Sequence, residues 1–437
     1  MNFVSFESLG LHHLLVKALY EMQYAEPTPV QRATIPLAIT GRDLLVSSQT
    51  GSGKTAAFLL PILHRFAKQL DADKKQGRHT FSQHKKRLRG QSHTASRKRP
   101  AFPRMLVLSP TRELAIQTVT ASRRFSAYLG NIMTVAILGG MPYSKQLRLL
   151  GMKPDILVAT PGRLIDHIQS GRIDLSELEV LVLDEADRML DMGFIDDIRF
   201  IATHIHECHQ TMLFSATLDG ITNHLAEEMT YNAIPIQIQS KTTPNKHIKQ
   251  IVHYADDLSH KHRLLIHWLR YKPLHQALIF TATKKQSEIL ANWLTTTGLP
   301  ATAMHGDLPQ PVRNRILDKL QRGQIKILVA TDIAARGIDV PDISHVFNFD
   351  MPTSSEDYIH RIGRTGRAGR YGTAISLVTL TDRIHLKRIE HFLQQKIQVN
   401  TITGLESKIS AKKTSKHNAC KKSNHSMKKH TNIRPIK

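Results

Sequence analysis

Short, almost purely apolar runs recur along the whole chain, each followed by a longer stretch in which apolar and polar residues alternate with helical spacing. A strand covered on both faces reads as a continuous apolar run, and parallel strands must be joined by a crossover, usually a helix. The pattern therefore predicts an α/β fold built on a mostly parallel sheet flanked by helices. Strands are expected at 43–48, 104–110, 133–140, 155–160, 179–187 and 210–217, and a second series at 276–283, 300–306, 325–332, 344–350 and 372–379. Between the two series the sequence turns polar around Pro244 (SKTTPNKHIK). Two α/β domains are thus expected, residues 1–239 and 248–395, joined by a linker at 240–247. A basic tail at 396–437 is expected to be disordered.

The first series opens on LLVSSQTGSGKT, residues 44–55. A phosphate cradle needs backbone N–H groups converging on an anion, with glycine wherever a side chain would block the approach. Ser48, Gln49, Thr50, Gly51, Ser52 and Gly53 supply that loop between an expected strand and an expected helix. Lys54 would reach the β- and γ-phosphates, and the Thr55 hydroxyl would hold Mg²⁺. The strict pattern places glycine where this chain has Ser48, a small residue at the start of the loop, so the departure is mild. A nucleotide site also needs an acidic element. The run VLVLDEAD ends its apolar strand in Asp184 and Glu185, at the sheet edge where such folds bind ligands. Asp184 would hold Mg²⁺, and Glu185 would position an attacking water.

The formal charge of +24 is unevenly placed. Residues 74–99 and 407–437 each hold ten Lys or Arg and no acid, leaving about +4 for the remainder. Neither segment has the apolar content to offset the entropy of ordering, so each is expected to be flexible and to seek a polyanion or merely to solubilise the chain. No apolar run approaches the ~18–20 residues of a membrane span. The N-terminal MNFVSFESLGLHH has no basic n-region and no small-residue cleavage site, so it is not expected to act as a secretory signal. Two cysteines, Cys208 and Cys420, exclude a disulfide framework and fit a reducing, cytoplasmic setting. The cluster HIHECHQ, His204 to His209 with Cys208 inside it, matches no structural zinc spacing and reads as a surface turn.

The tetrapeptide Asp184-Glu185-Ala186-Asp187 resembles the signature of DEAD-box ATP-dependent RNA helicases, and further matches follow in that family's order. PTPVQ (27–31), PTRELA (110–115), Gly139-Gly140, TPGR (160–163) and SAT (215–217) lie in the first half. LIFTATK, Gln310 with Arg313, ATDIAARGID (330–339) and HRIGRTGRAG (360–369) lie in the second. The resemblance spans roughly residues 3–395 and implies two tandem RecA-like domains, with residues 74–99 as a basic insertion in the first. FESLGL, GRDLL and the compact second half resemble the bacterial RhlE-like branch.

The resemblance implies that the Gln31 amide meets adenine, with Tyr24 stacking near the base and Asp339 on the ribose; an ordinary helix-start glutamine is the plainer alternative. The family has glycine where this chain has Gln23. Arg364 and Arg367 are implied to be arginine fingers for the γ-phosphate, and His360 to join their network or merely to pack. Asp187, Ser215 and Thr217 are implied to couple ATP state to domain closure through mutual contact. RNA is implied to lie on Thr111, Arg112, Gly139, Gly140, Thr160, Gly162 and Arg163 in the first domain, and on Gln310, Arg313 and Thr331 in the second. Hydroxyls, guanidinium groups and bare backbone suit phosphates and 2′-hydroxyls, so little base specificity is expected. ATP, Mg²⁺ and RNA are the implied ligands, with ribosomal or RNA-decay proteins as candidate partners and no membrane. A DNA-translocating helicase and a non-hydrolysing RNA clamp are the alternative readings.

Overall fold

A computed structural model describes residues 5–48, 51–76, 100–130, 132–217, 220–238, 247–270, 274–335, 343–366 and 370–408. The first seven strands are β1 (Leu44–Ser47), β2 (Met105–Leu108), β3 (Thr134–Ile137), β4 (Ile156–Ala159), β5 (Val180–Leu183), β6 (Gln210–Ser215) and β7 (Ile234–Gln237). The next seven are β8 (Ile248–Tyr254), β9 (Ala277–Phe280), β10 (Ala301–Met304), β11 (Ile327–Ala330), β12 (His345–Asn348), β13 (Gly372–Val378) and β14 (Gln398–Val399). They form two seven-stranded sheets, ordered β3-β4-β2-β5-β6-β1-β7 and β10-β11-β9-β12-β13-β8-β14. Among the described residues the strands of both sheets pair in parallel throughout. Counted from its own first strand, the second sheet repeats the order of the first. The two halves are one topology written twice.

Helices cover both faces of each sheet, so the central strands are buried at every position. On one face of the first sheet, Phe58 and Phe66 of the helix Lys54–Lys75 pack with Phe214 of β6. Each such ring taken out of water contributes about 1.5–3 kcal/mol. That helix starts at the end of β1 that carries the glycine-rich loop and runs back against the strands. Near its far end Gln69 accepts a hydrogen bond from Arg104, just before β2, and Arg104 also pairs with Glu179, just before β5. Gln76 and Pro100 therefore both lie toward the edge opposite the glycine-rich loop.

Three strands stand outside the sequence expectation: β7, β8 and β14. The tail also begins later than expected. β14 pairs with β8, Ile397 is buried, and Ile402 and Leu405 pack on the core of the second sheet. Ser407 and Lys408 both bond to Asp256. Residues 396–408 thus belong to the packed second unit, because their apolar residues complete its core. Most of the expected basic insertion and the rest of the tail lie outside the described residues. No helix among the described residues is long and apolar enough to cross a membrane.

Candidate functional site

The register of the first sheet puts the principal loops on one edge. Ser47 of β1 stands beside Ser215 of β6, and Leu183 of β5 beside Leu213. The loops after β1, β5 and β6 therefore emerge side by side. Gly51 and Gly53 have φ of +82° and +95°, a region that only glycine enters freely. A Cβ on Gly53 would sit 2.4 Å from the Gln31 amide nitrogen. That nitrogen donates to the Gly53 carbonyl at 3.1 Å, while Gln31 Oε1 accepts from the Thr28 N–H at 2.9 Å within a capping box. Gln31 is thus both the helix-start glutamine and a clamp on the glycine-rich loop. Its amide keeps one N–H and one lone pair beyond these bonds.

Lys54 is buried and its Nζ donates to the Ser48 carbonyl at 2.9 Å, while the Ser48 and Ser52 hydroxyls bond at 3.0 Å. Ser48 serves the loop through its backbone and a short hydroxyl bridge, which a glycine could not make. Asp184 is buried at the head of the next loop. Burial, and then the neighbouring Glu185, push its carboxyl up to about 7, against the lowering influence of Lys54. Glu185 has φ +53° and ψ +53°, a left-handed conformation that costs a side-chain residue about 1–3 kcal/mol. Thr55, half-buried, lies in the first turn of the helix Lys54–Lys75.

Asp187 reaches β6 through backbone: its Oδ2 accepts from the Ala216 N–H at 3.3 Å. The Ser215 hydroxyl donates to the Thr217 carbonyl and accepts from the Thr217 N–H. The expected contact from the Ser215 and Thr217 hydroxyls to Asp187 is therefore replaced by the peptide between them, because Ser215 spends its hydroxyl on the local turn.

In the second domain the helix Ser355–Ile362 carries His360 and Arg361 and ends before Arg364. Arg364 is buried, with Nε donating to the His360 carbonyl at 3.1 Å. Arg361 makes a two-pronged ion pair with Asp332, at 2.6 and 2.7 Å, and donates to the Asp350 carbonyl at 2.6 Å. Gln49, Thr50, Asp339 and Arg367 lie outside the described residues.

The residues expected to face RNA divide into two groups. Thr111, buried, caps the helix Arg112–Phe125; Gly140 has φ +72°, and a Cβ there would strike the Arg112 guanidinium at 2.3 Å. Thr160 precedes the helix Pro161–Gln169, in which Gly162 is exposed and Arg163 donates to Asp166 at 3.0 Å and to the Met141 carbonyl. These lie on neighbouring loops of the first domain. Thr331, buried, follows β11 in the second. Gln310 and Arg313 instead cross to the first domain. Arg112 donates to Gln310 Oε1, and Gln310 donates to Glu113 Oε1, both at 3.1 Å. Arg313 pairs with the same carboxylate oxygen at 3.1 Å, with both side chains only about 5–6% exposed. A phosphate cannot reach Arg313 there. Buried Glu113 needs a cation, and that requirement assigns Gln310 and Arg313 to the domain interface.

The family model for the DEAD/DEAH box helicase matches residues 28–224, and that for the helicase conserved C-terminal domain matches residues 260–369. The ATP-dependent RNA helicase SrmB of Escherichia coli is 39% identical over 412 residues, covering 94% of this chain and 87% of that protein. The chain belongs to the DEAD/DEAH box helicase family. The ATP-dependent RNA helicase DeaD of Escherichia coli is 40% identical over 89% of this chain but only 57% of that protein, so the chain spans little more than half of that relative. Among solved structures, Saccharomyces cerevisiae Dbp5 bound to RNA and ADP BeF3 aligns with a TM-score of 0.74 at 30% identity, over 91% of this chain and 95% of that one. Mss116p bound to ssRNA and AMP-PNP aligns at 0.76 and 26% identity, over 92% and 81%. SrmB and DeaD support the helicase family, not the narrower RhlE-like branch.

Glu113, Asp332 and Arg361 are the helicase residues that sequence reasoning missed. Each lies inside a recognised motif, but its ionic partner lies far along the chain or in another motif. For Glu113 and Arg361 the signal is burial of a charge, and for half-buried Asp332 it is the ion pair with Arg361; both become visible only in three dimensions.

Proposed function

We propose that this chain is an RNA-stimulated ATPase that separates RNA duplexes locally, or remodels RNA–protein complexes, through ATP binding and hydrolysis in the cytoplasm. The observation that carries the reading is the convergence of Gln31, Lys54, Asp184 and Ser215, from four separate segments, on one sheet edge, with the helix before Arg364 held across from it. The glycine-rich loop and Lys54 take the phosphates, and the remaining donor and acceptor of Gln31 suit adenine's N6 and N7. Tyr24, half-exposed and edge-on to Phe125, lies on the same segment. Thr55 and Asp184 are the residues that would hold Mg²⁺; a buried carboxyl raised to about 7 fits a site where a divalent cation supplies the missing charge. Such an ion neutralises charge on the phosphates.

Glu185, in its constrained turn, orients the attacking water, and Arg364 and Arg367 serve as fingers on the γ-phosphoryl group, an arrangement that can contribute ~10³–10⁵ in rate. RNA lies across Thr111, Gly139, Gly140, Thr160, Gly162, Arg163 and Thr331. Each ligand bridges both domains, so each favours closure and the two bind cooperatively. Steady-state ATPase with equal lengths of RNA and DNA tests this, beside Glu185→Gln. RNA should stimulate and DNA should not, while the variant keeps ATP and RNA but turns over at least ~100-fold more slowly, as expected when one positioned catalytic group is lost. Equal stimulation by DNA would make the chain a DNA motor, and near-normal turnover by the variant would remove Glu185 from its role. RNA retention without hydrolysis by the unmodified protein would make it a clamp.

A further inference from the structure

Arg188 directly follows the Asp-Glu-Ala-Asp tetrapeptide and is buried at 3% exposure. Its Nη1 donates across the domain boundary to Asp357 Oδ1, and to Asp191, one helical turn on, only at 3.5 Å. Asp357 lies in the first turn of Ser355–Ile362, the helix that leads to Arg364. Its carboxylate is aimed in advance: Oδ2 accepts from the Ser354 hydroxyl at 3.0 Å, and that hydroxyl accepts from the Asp357 N–H at 3.0 Å. One end of this ion pair is therefore rigid with the turn that holds Glu185, and the other with the helix that delivers the finger.

We propose that Arg188 and Asp357 are positioning residues for ATP hydrolysis, whose ion pair sets the finger helix against the catalytic turn when the domains close. The proposal rests on the ATPase reading above and adds the contact that aligns its two halves. Neither side chain takes a nucleotide or RNA contact in that reading. Removing charges from water offsets much of what a buried pair gains, so its worth lies in geometry rather than in tighter closure. A closed state with one member missing retains an unpaired buried charge and a helix free to settle differently.

The test is a double-mutant cycle in the full chain with Arg188→Ala, Asp357→Ala and both together, read as kcat and as the RNA concentration for half-maximal ATPase. Each single variant should lower kcat about tenfold, as for other lost positioning contacts, with a smaller change in the RNA requirement. The double variant should be no worse than the poorer single. Asp357→Asn keeps shape and the Ser354 contact but loses charge, so it should show the kcat loss even if the alanine variants fold poorly; Asp357→Glu should recover part of it. Arg199→Ala, which breaks a surface pair with Glu228 inside the first domain, should leave kcat unchanged. Losses that simply multiply in the double variant, or a normal kcat for Asp357→Asn, would overturn the proposal while leaving the ATPase reading intact. An unmodified protein without RNA-stimulated ATPase would instead overturn the reading beneath it.

Discussion

Gln23 shows how much one backbone angle can explain. Its φ is +62°, and the hydrogen bonds around it, Tyr24 N–H to the Leu19 carbonyl and Gln23 N–H to the Tyr20 carbonyl, close the helix His13–Glu21 in a Schellman turn. Glycine is the residue that turn favours, which accounts for the family's glycine there. A left-handed side-chain residue costs about 1–2 kcal/mol, and glycine returns about 0.5–1 kcal/mol of that through unfolded-state entropy. Gln23→Gly should therefore stabilise the first domain by about 0.5–1 kcal/mol, visible as a rise of a few degrees in a thermal melt. Unchanged or lowered melting would show that the Gln23 side chain compensates for its backbone. Gly53→Ala should act the other way. Its Cβ would collide with Gln31 and its φ would be strained, so ATP affinity, measured by titration, should drop at least ~10-fold, equivalent to about 1.4 kcal/mol. Undiminished affinity would mean that the loop rearranges to bind.

At the scale of elements, β8 and the helix Leu258–Leu269 are joined by a contact that depends on protonation. Trp268 Nε1 donates to His253 Nε2 at 2.9 Å, so that nitrogen must be bare. Burial lowers His253 from 6.5 to about 4, and His345 of β12 is likewise lowered to about 4, chiefly by burial. Between those values the unfolded chain binds more protons than the folded one, so the stability contribution is complete above about 6.5 and drains away as pH falls toward 4. The melting temperature of the second domain should fall from about pH 7 to about pH 5, and His253→Gln, whose amide oxygen can accept from Trp268, should flatten that fall. An identical pH profile would sink the assignment. The same elements show what a sequence can reveal. Eleven strands were legible because strands buried on both faces are unbroken apolar runs. β7 was not, because it is an edge strand containing Pro235 with exposed positions; β8 mixes Lys249 and Gln250 with apolar residues; β14 is two exposed residues. The nucleotide loops were legible because their residues are contiguous. The fate of Gln310 and Arg313 was not, since Glu113 lies about 200 positions away and only folding brings it near.

For the whole molecule, charge and catalysis occupy different parts of the chain. The described motifs lie in units that together carry little net charge, whereas the segments at 77–99 and 409–437 hold most of the excess Lys and Arg. Each phosphate neutralised on single-stranded RNA contributes about −0.7 to the slope of log K against log salt. If each segment engages three or four phosphates, deleting both should flatten that slope by roughly 4–6 units. The RNA needed for half-maximal ATPase should rise steeply while the maximal rate holds. An unaltered slope would show that these charges serve solubility alone, and a collapsed maximal rate would show that the core depends on them. The point of departure of the first segment has a practical side. A helix of 22 residues extends about 33 Å, and here it spans the first sheet from the phosphate loop to the opposite edge. Gln76 and Pro100 thus mark the back of the motor, away from the phosphate loop. A fluorescent reporter or a foreign RNA-binding module joined through Gln76 and Pro100 would be anchored on the side away from the phosphate loop, which makes this junction a natural port for retargeting the helicase to a chosen transcript.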